Sequence, residues 1–381
     1  MKIALVKRRY SLRHGGSERY CVNLARRLKT VGHDVTVVGE SIDDDLAAEV
    51  DFIPVHVNRW TSWTSNRSFA ENCGHAVRRR RFDVVYGLGR SFGLDVVRVT
   101  ERLQPHWLRV YYGNPLSRAL QSLNPRHRTL IALERTIYRS QQVRRIVTQS
   151  QLDRKLVVSY YGISEEKIRT IYNGVDTGLF HPGVRESAGQ VRAELGLQRD
   201  EPLLIFASMD FQGKGLRTIL QAMRTARQRD SRLLVLGSGP AQKFRRIAHD
   251  FGVEGRVIFA GRRENIQRYY GAGDLFLLPT AYEPFPNVNL EAMACGTPVV
   301  TTTTNGGADV IDEGLNGYLI SGIHAVDELA ACLDRHLSLP ASRRRQMAAA
   351  CWKTAQQLTI EKNVQQTLDV FEEVLREKFR V

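Results

Sequence analysis

Short apolar runs alternate with helix-patterned segments along this chain, and the whole alternation occurs twice, a pattern that few architectures accommodate. "KIALV", "DVTVVG", "DVVYGL" and "RRIVTQS" read as buried strands, and segments such as "SERYCVNLARRLKTVG" between them place apolar residues near i, i+3 and i+4. After "NGVDTGLFHPG" (173–183), rich in glycine and turn formers, the alternation restarts with "PLLIFAS", "SRLLVLGSG", "RVIFAG", "DLFLLPT" and "TPVVTTT". Strand–helix alternation repeated in this way predicts two α/β domains with parallel sheets, the first over 1–180 and the second over 181–355. At 381 residues the chain also exceeds the size at which a single core usually stops growing. Ligands of such sheets bind beyond the carboxyl ends of the strands, so the strand-to-helix loops are where chemistry is expected.

The remaining composition excludes more than it identifies. No apolar run approaches the ~18 residues of a membrane-spanning helix. The start "MKIALVKRRY" has four apolar residues before basic ones, too few for a signal peptide, and reads as a first strand. Five scattered cysteines without a C-x-x-C suggest neither a disulfide framework nor a zinc site, and fit a reducing cytoplasm. The net charge is +15, and its distribution is uneven: residues 1–180 hold 30 Lys and Arg against 17 Asp and Glu. Either this is a solvated surface, or the first domain faces an anionic membrane leaflet, a phosphorylated acceptor or nucleic acid. No helix-turn-helix, zinc finger or RNP-type aromatic strand is present, which disfavours nucleic acid. From Arg98 to Arg145 there are ten arginines (98, 102, 109, 118, 126, 128, 135, 139, 144, 145) against Glu101 and Glu134, with Trp107, Tyr111 and Tyr112 among them. Such aromatic residues suit a membrane interface, so peripheral, salt-sensitive attachment is expected.

Three loops carry candidate residues. "RHGGSER" puts Gly15 and Gly16 between the first strand and a helix, where backbone can approach a ligand. It lacks G-x-G-x-x-G, which argues against a dinucleotide cofactor. "SMDFQGKG" (208–215) holds Lys214 between two glycines after a strand; it is no P-loop, since no Ser or Thr follows the lysine, yet its lysine can reach a phosphate. In "YEPFPNVNLEAMACGTPVV" (282–300), Pro284 holds Glu283 extended beyond a strand, and Pro286 suits the first turn of a helix that Gly296 ends. Glu291 then lies four residues after Asn287 on one face, and the N–H groups near 287–289 form an anion site beside the two carboxylates. A glycosidase pair would flank the scissile bond from opposite sides. Here both acids come from one strand–loop–helix unit, which favours holding neutral hydroxyls while Lys214 and the helix terminus stabilise a leaving diphosphate.

The E-x7-E of Glu283 and Glu291, with "GTPVV", "NGGADVI" and "NGYLI", resembles the C-terminal domain of retaining glycosyltransferases of family four. The likeness extends over essentially the whole chain through Gly15 and Gly16, "YNGVD" (172–176), "DFQGKG", "GRRENI" (261–266) and a final helical segment. In detail, "RVTERLQPHWLR" (98–109) followed by "LIALERTIY" is most similar to the lipopolysaccharide-core glucosyltransferases that act on heptose. The resemblance implies a GT-B fold, two Rossmann-like parallel-sheet domains facing a central cleft, with residues 356–381 as a helix returning to the first domain. It implies that Lys214 binds the donor diphosphate, and that backbone around Phe285, Pro286, Asn287 and Val288 meets the phosphates or the sugar. Glu283 would hold a hydroxyl of the transferred sugar and Glu291 the ribose, while Arg262 and the backbone near Ile266 would flank the base, expected to be uracil. Gly15 and Gly16 would approach the diphosphate, and His106 matches a histidine near donor sugar and acceptor.

The expected activity is therefore transfer of a hexose from a UDP-sugar to a glycan or lipid-linked acceptor, with retention by front-face displacement and without a metal or other cofactor. The expected location is the cytoplasmic face of a bacterial inner membrane. Two residues depart from the family pattern: Ser208 stands where many members have arginine, and Pro286 where glycine is common. The alternatives are a GT-B nucleotide-sugar epimerase, which needs no acceptor, and a basic membrane- or nucleic-acid-binding protein with a non-catalytic site.

Overall fold

The computed structural model describes residues 1–112, 114–198 and 200–379. The chain forms two units, Met1–Tyr172 with Glu361–Val381, and Asn173–Ile360. The strands are β1 (Lys2–Val6), β2 (Arg9–Tyr10), β3 (Asp34–Gly39), β4 (Ser41–Ile42), β5 (Asp51–Pro54), β6 (Val84–Gly87), β7 (Val96–Arg98), β8 (Arg145–Thr148) and β9 (Ile168–Thr170) in the first unit. Those of the second are β10 (Leu203–Ala207), β11 (Arg232–Leu236), β12 (Val257–Gly261), β13 (Leu275–Leu278), β14 (Val299–Thr302) and β15 (Gly317–Ile320).

In the first unit seven parallel strands run in the order β5-β3-β1-β6-β7-β8-β9, and β2 pairs with β4 apart from them. Ile3, Ala4 and Leu5 of β1 are fully buried, as expected for a strand with helices on both faces. The chain leaves β1 toward β3 on one side and later fills β6 on the other, so a topological switch point lies between β1 and β6. The helix Ile360–Phe379 completes this unit. Phe371 meets the edge of Tyr86 at 5.1 Å between ring centres, Arg145 reaches Glu373 at 2.7 Å, and Lys378 reaches Asp95 at 2.7 Å.

The second unit has six parallel strands in the order β12-β11-β10-β13-β14-β15, with its switch point between β10 and β13. Leu203, Leu204, Ile205 and Phe206 of β10 and all four residues of β13 have no exposed surface. The unit begins at Asn173, earlier than the boundary at 181 read from the sequence, and extends to Ile360 rather than 355. The reason is backbone pairing: Val175 donates its N–H to the Leu358 carbonyl at 2.9 Å, and Ile360 donates to the Val175 carbonyl at 3.3 Å. Gly174 permits this approach, since a Cβ there would stand 2.3 Å from the Thr359 carbonyl oxygen. Among the described residues no helix is long and apolar enough to cross a membrane.

Candidate functional site

The site is built at the switch point of the second sheet. Lys214 follows β10 and Glu283 follows β13, the two strands that flank that point, and their side chains pair at 2.6 Å between Nζ and Oε1. Both are largely buried, with 13% and 21% of their side-chain surface exposed. The pairing is enforced by backbone: Ala281 donates its N–H to the Gly213 carbonyl at 3.1 Å, and the Thr280 hydroxyl donates to the same oxygen at 3.3 Å. Gly215, at φ +80°, begins the helix that follows Lys214, and a Cβ there would stand 2.3 Å from the Pro279 carbonyl oxygen. Glycine is therefore required for the lysine loop to seat against the loop leaving β13.

The helix Asn287–Ala294 starts beside this pair, with Pro286 as its N-cap and Gly296 in the left-handed region just past its end. Pro286 thus stands one residue before the first helical turn rather than within it. The Asn289 N–H is bonded to the Pro286 carbonyl at 3.1 Å. Of the three leading amides, those of Asn287 and Val288 are the ones a helix start presents outward. Glu291 accepts a hydrogen bond from the buried Tyr270 hydroxyl at 3.3 Å, which fixes its carboxylate one turn into the helix. "NGGADVI" supports the same helix from below. Asn305 donates to Thr301 and Thr302 and accepts from the Gly307 N–H at 2.7 Å, and the Gly306 N–H is bonded to the Glu283 carbonyl at 2.9 Å. A Cβ on Gly307 would stand 2.7 Å from Asn289 Nδ2 and 3.1 Å from Pro286 Cδ, so a side chain there would push on the helix start.

Sequence reasoning missed two members of this arrangement. Asn173 donates to Asn287 Oδ1 at 2.6 Å, fixing the side chain that opens the helix, and Tyr270 orients Glu291. "YNGVD" signalled a junction but not this contact, because 114 residues separate the two asparagines. Arg262 lies in the loop that leaves the edge strand β12 and is exposed, and Ile266 begins the following helix, whose N-cap, Asn265, has φ +52°.

In the first unit Gly15 is the N-cap and Gly16 the first residue of the helix Gly16–Thr30. Gly15 has φ −66°, which any residue adopts, so close approach rather than backbone conformation is what glycine would serve there. Beside them the buried Lys7 donates to the Ser17 hydroxyl at 2.8 Å and lies 3.4 Å from Glu18, a cation the sequence did not single out. His106 lies in the helix Gln104–Tyr111, 3.5 Å from the Tyr160 hydroxyl. Burial, with Arg109 next, pulls its imidazole down to about 4, so it is neutral at physiological pH.

The arginine-rich stretch 98–145 is not one surface. Arg98 is 1% exposed with its guanidinium over the Tyr20 ring at 4.6 Å, and Arg145 is held by Glu373 and Glu377. Arg109, Arg126, Arg128, Arg135 and Arg139 are exposed. Trp107 stacks on Tyr111 and Tyr112 meets both edge-on, all three half-buried, and it is Leu116, Leu120 and Leu123, at 70%, 62% and 67% exposed, that face outward.

Comparison with known proteins places the family and the fold. Residues 14–179 match the family model described as Glycosyltransferase Family 4, and residues 201–338 that described as Glycosyl transferases group 1. The chain is 26% identical over 352 residues to an uncharacterised glycosyltransferase of Methanocaldococcus jannaschii, covering 89% of each. Over 211 residues, 53% of this chain, it is 34% identical to a D-inositol 3-phosphate glycosyltransferase of a Mycobacterium species, of which it spans 46%. Among solved structures it resembles WaaG, a glycosyltransferase involved in lipopolysaccharide biosynthesis, with TM-score 0.83 and 23% identity over 97% of this chain and 99% of that one. It also resembles Anabaena HepE in complex with UDP-glucose, with TM-score 0.75 and 18% identity over 98% and 100%. Two parallel α/β units, each matched by a glycosyltransferase family model, define a glycosyltransferase of the GT-B type. With a family model on each half, the chain belongs to the group 1 and family 4 glycosyltransferases.

Proposed function

We propose that this protein transfers a hexose from a UDP-sugar to a glycan or glycolipid acceptor with retention of anomeric configuration. The observation that carries the reading is the Lys214–Glu283 pair beside the start of the helix that bears Glu291. Lys214 and the amides of Asn287 and Val288 supply positive potential for a diphosphate. Glu283 and Glu291 are acceptors for hydroxyls, Glu283 for the transferred sugar and Glu291 for the ribose. Arg262 and Ile266 are assigned to the base, Phe285 and Pro286 to the donor phosphates or sugar, Gly15 and Gly16 to the diphosphate, and His106 to the donor sugar and acceptor. HepE has been solved with UDP-glucose, which supports a nucleotide-sugar donor of this kind. In the reaction the bond from the anomeric carbon to the phosphate oxygen breaks, the acceptor oxygen bonds to that carbon on the same face, and its proton passes to the departing phosphate. Neutral His106 would position the acceptor or the sugar by hydrogen bonding, without adding charge.

The first unit is assigned to the acceptor and to peripheral contact with an anionic membrane. The helix Pro115–Ser122 supports this: none of its residues is buried, and its exposed leucines lie near exposed arginines in sequence. The test is a thermal-shift panel of nucleotides followed by incubation with UDP-sugars, with and without a lipid extract. UDP and a UDP-hexose should raise the melting temperature, and UDP release should depend on acceptor. Stabilisation by no nucleotide would overturn the reading, and an altered UDP-sugar formed without acceptor would replace it with epimerisation.

A further inference from the structure

We propose that Lys243 is a second cation for the phosphates of the nucleotide donor, an assignment that rests on the transferase reading and adds a residue to it. The order of the second sheet puts this lysine on the nucleotide's path. β11 lies between β12, whose outgoing loop leads to the residues assigned to the base, and β10, whose outgoing loop holds Lys214. A nucleotide reaching from one to the other passes the loop that leaves β11. Lys243 stands in the first turn of the helix Ala241–Asp250, directly after that loop.

Close packing of two loops brings Lys243 to the segment that carries Lys214. Gly237, at φ +121°, and Gly239 lie against residues 208–212. A Cβ on the first would run into the Ser208 carbonyl oxygen, and a Cβ on the second into the Phe211 ring. Lys243 Nζ then donates to Gln212 Oε1 at 3.3 Å, two residues before Lys214. That amide oxygen is a neutral acceptor, so it orients the ammonium without cancelling its charge. Lys243 is exposed, and among the described residues no carboxylate lies within ion-pair distance of it.

The charge balance of the lysine loop leaves room for such a group. Lys214 faces Glu283 at 2.6 Å, so its field is partly cancelled before any ligand arrives. Ser208, where many members of the family carry arginine, brings no charge, and its hydroxyl accepts from the Asp210 N–H at 2.9 Å. Asp210 adds a carboxylate to the loop, its Oδ1 accepting from the Gly213 N–H at 2.8 Å. A diphosphate meeting this loop therefore faces Glu283, Asp210 and one paired lysine until Lys243 is counted. An ammonium on a flexible four-carbon stem can reach a phosphate oxygen there without breaking an ion pair of its own.

The test is an NMR titration of the full chain with UDP and uridine as probes, on wild type, Lys243→Ala, Lys243→Arg and Arg246→Ala. Melting temperature serves as the control for folding. Lys243→Ala should weaken UDP about fivefold, the upper end for one exposed charge pair, and leave uridine unchanged. The loss should shrink as salt is added, and Lys243→Arg should bind UDP as wild type does. Arg246→Ala, which removes the same charge from the next turn of the helix, should also leave UDP affinity unchanged. Equal UDP affinities in wild type and Lys243→Ala would overturn the role of Lys243. So would a loss that uridine shares, or an equal loss in Arg246→Ala, since neither is a contact between this ammonium and a phosphate. A wild-type chain that binds no UDP would instead remove the transferase reading itself.

Discussion

Lys214 and Glu283 neutralise one another across 2.6 Å, and the proposed reading assigns the lysine to the donor diphosphate and the glutamate to the donor sugar. Lys214→Ala should lower turnover by roughly 10²–10³, the range for removing one stabiliser of developing charge, and weaken UDP binding while the fold persists. Glu283→Gln should leave UDP affinity equal or higher, because it releases the lysine, and should impair the donor sugar. Glu291→Gln should weaken UDP and UDP-sugar alike. Titrating both ligands against the three variants checks the set, and equal UDP affinities in the Glu283 and Glu291 variants would sink the ribose assignment. His106 makes a separate prediction. Its folded value of about 4 lies below the unfolded histidine value of about 6.5, so the unfolded chain takes up the proton first as pH falls. Its effect on stability is absent above about pH 6.5 and grows destabilising as pH falls toward 4. The melting-temperature profile of His106→Asn should be flatter than wild type over that window, and parallel profiles would refute the buried, neutral imidazole.

Among the elements, the helix Gln104–Tyr111 shows how a remote charge substitutes for a local cap. Its N-cap residue, Leu103, offers no side-chain acceptor, and Pro105 follows in the first turn. Glu134, thirty residues later in the helix Pro125–Tyr138, supplies the acceptor and also binds Arg90 and the Tyr161 hydroxyl. Glu134→Gln should destabilise the chain by about 3 kcal/mol, the low end for breaking a buried pair, since Arg90 keeps Glu101. Chemical denaturation measures the loss, and a midpoint unmoved by the substitution would mean that the pair is not buried as described. The sequence showed "LIALERTIY" only as part of a family likeness, because nothing local marks a glutamate on an apolar helix face as another helix's cap.

For the whole molecule, the excess of +13 in residues 1–180 motivates the proposed contact with an anionic surface, and the tertiary structure decides which residues are exposed for it. Arg98 and Arg145 are withdrawn into the fold, and the exposed Leu116, Leu120 and Leu123 take the outward place expected for Trp107 and the tyrosines. Sedimentation with anionic vesicles should fall with added salt, each exposed arginine near the leaflet contributing about 1 kcal/mol. Replacing the three leucines by serine should weaken sedimentation without changing UDP affinity. Equal sedimentation with neutral vesicles, or none with either, would leave the transferase reading without its membrane.

Periodicity alone determined the two parallel α/β units, because a strand buried on both faces and an amphipathic helix each write their burial into consecutive residues. The loops after β10 and β13 were legible as candidate sites because glycine and proline punctuation around Lys214 and Glu283 is a local signal. What the tertiary structure decided lies in contacts between residues far apart along the chain. The Lys214–Glu283 pairing, the hold of Asn173 on Asn287, the hydroxyl of Tyr270 on Glu291 and the burial of Arg98 are all of this kind. So is the boundary at Asn173, set by backbone bonds to Leu358 and Ile360. A local pattern fixes which face of an element is buried, and only packing fixes which distant side chain is brought against it.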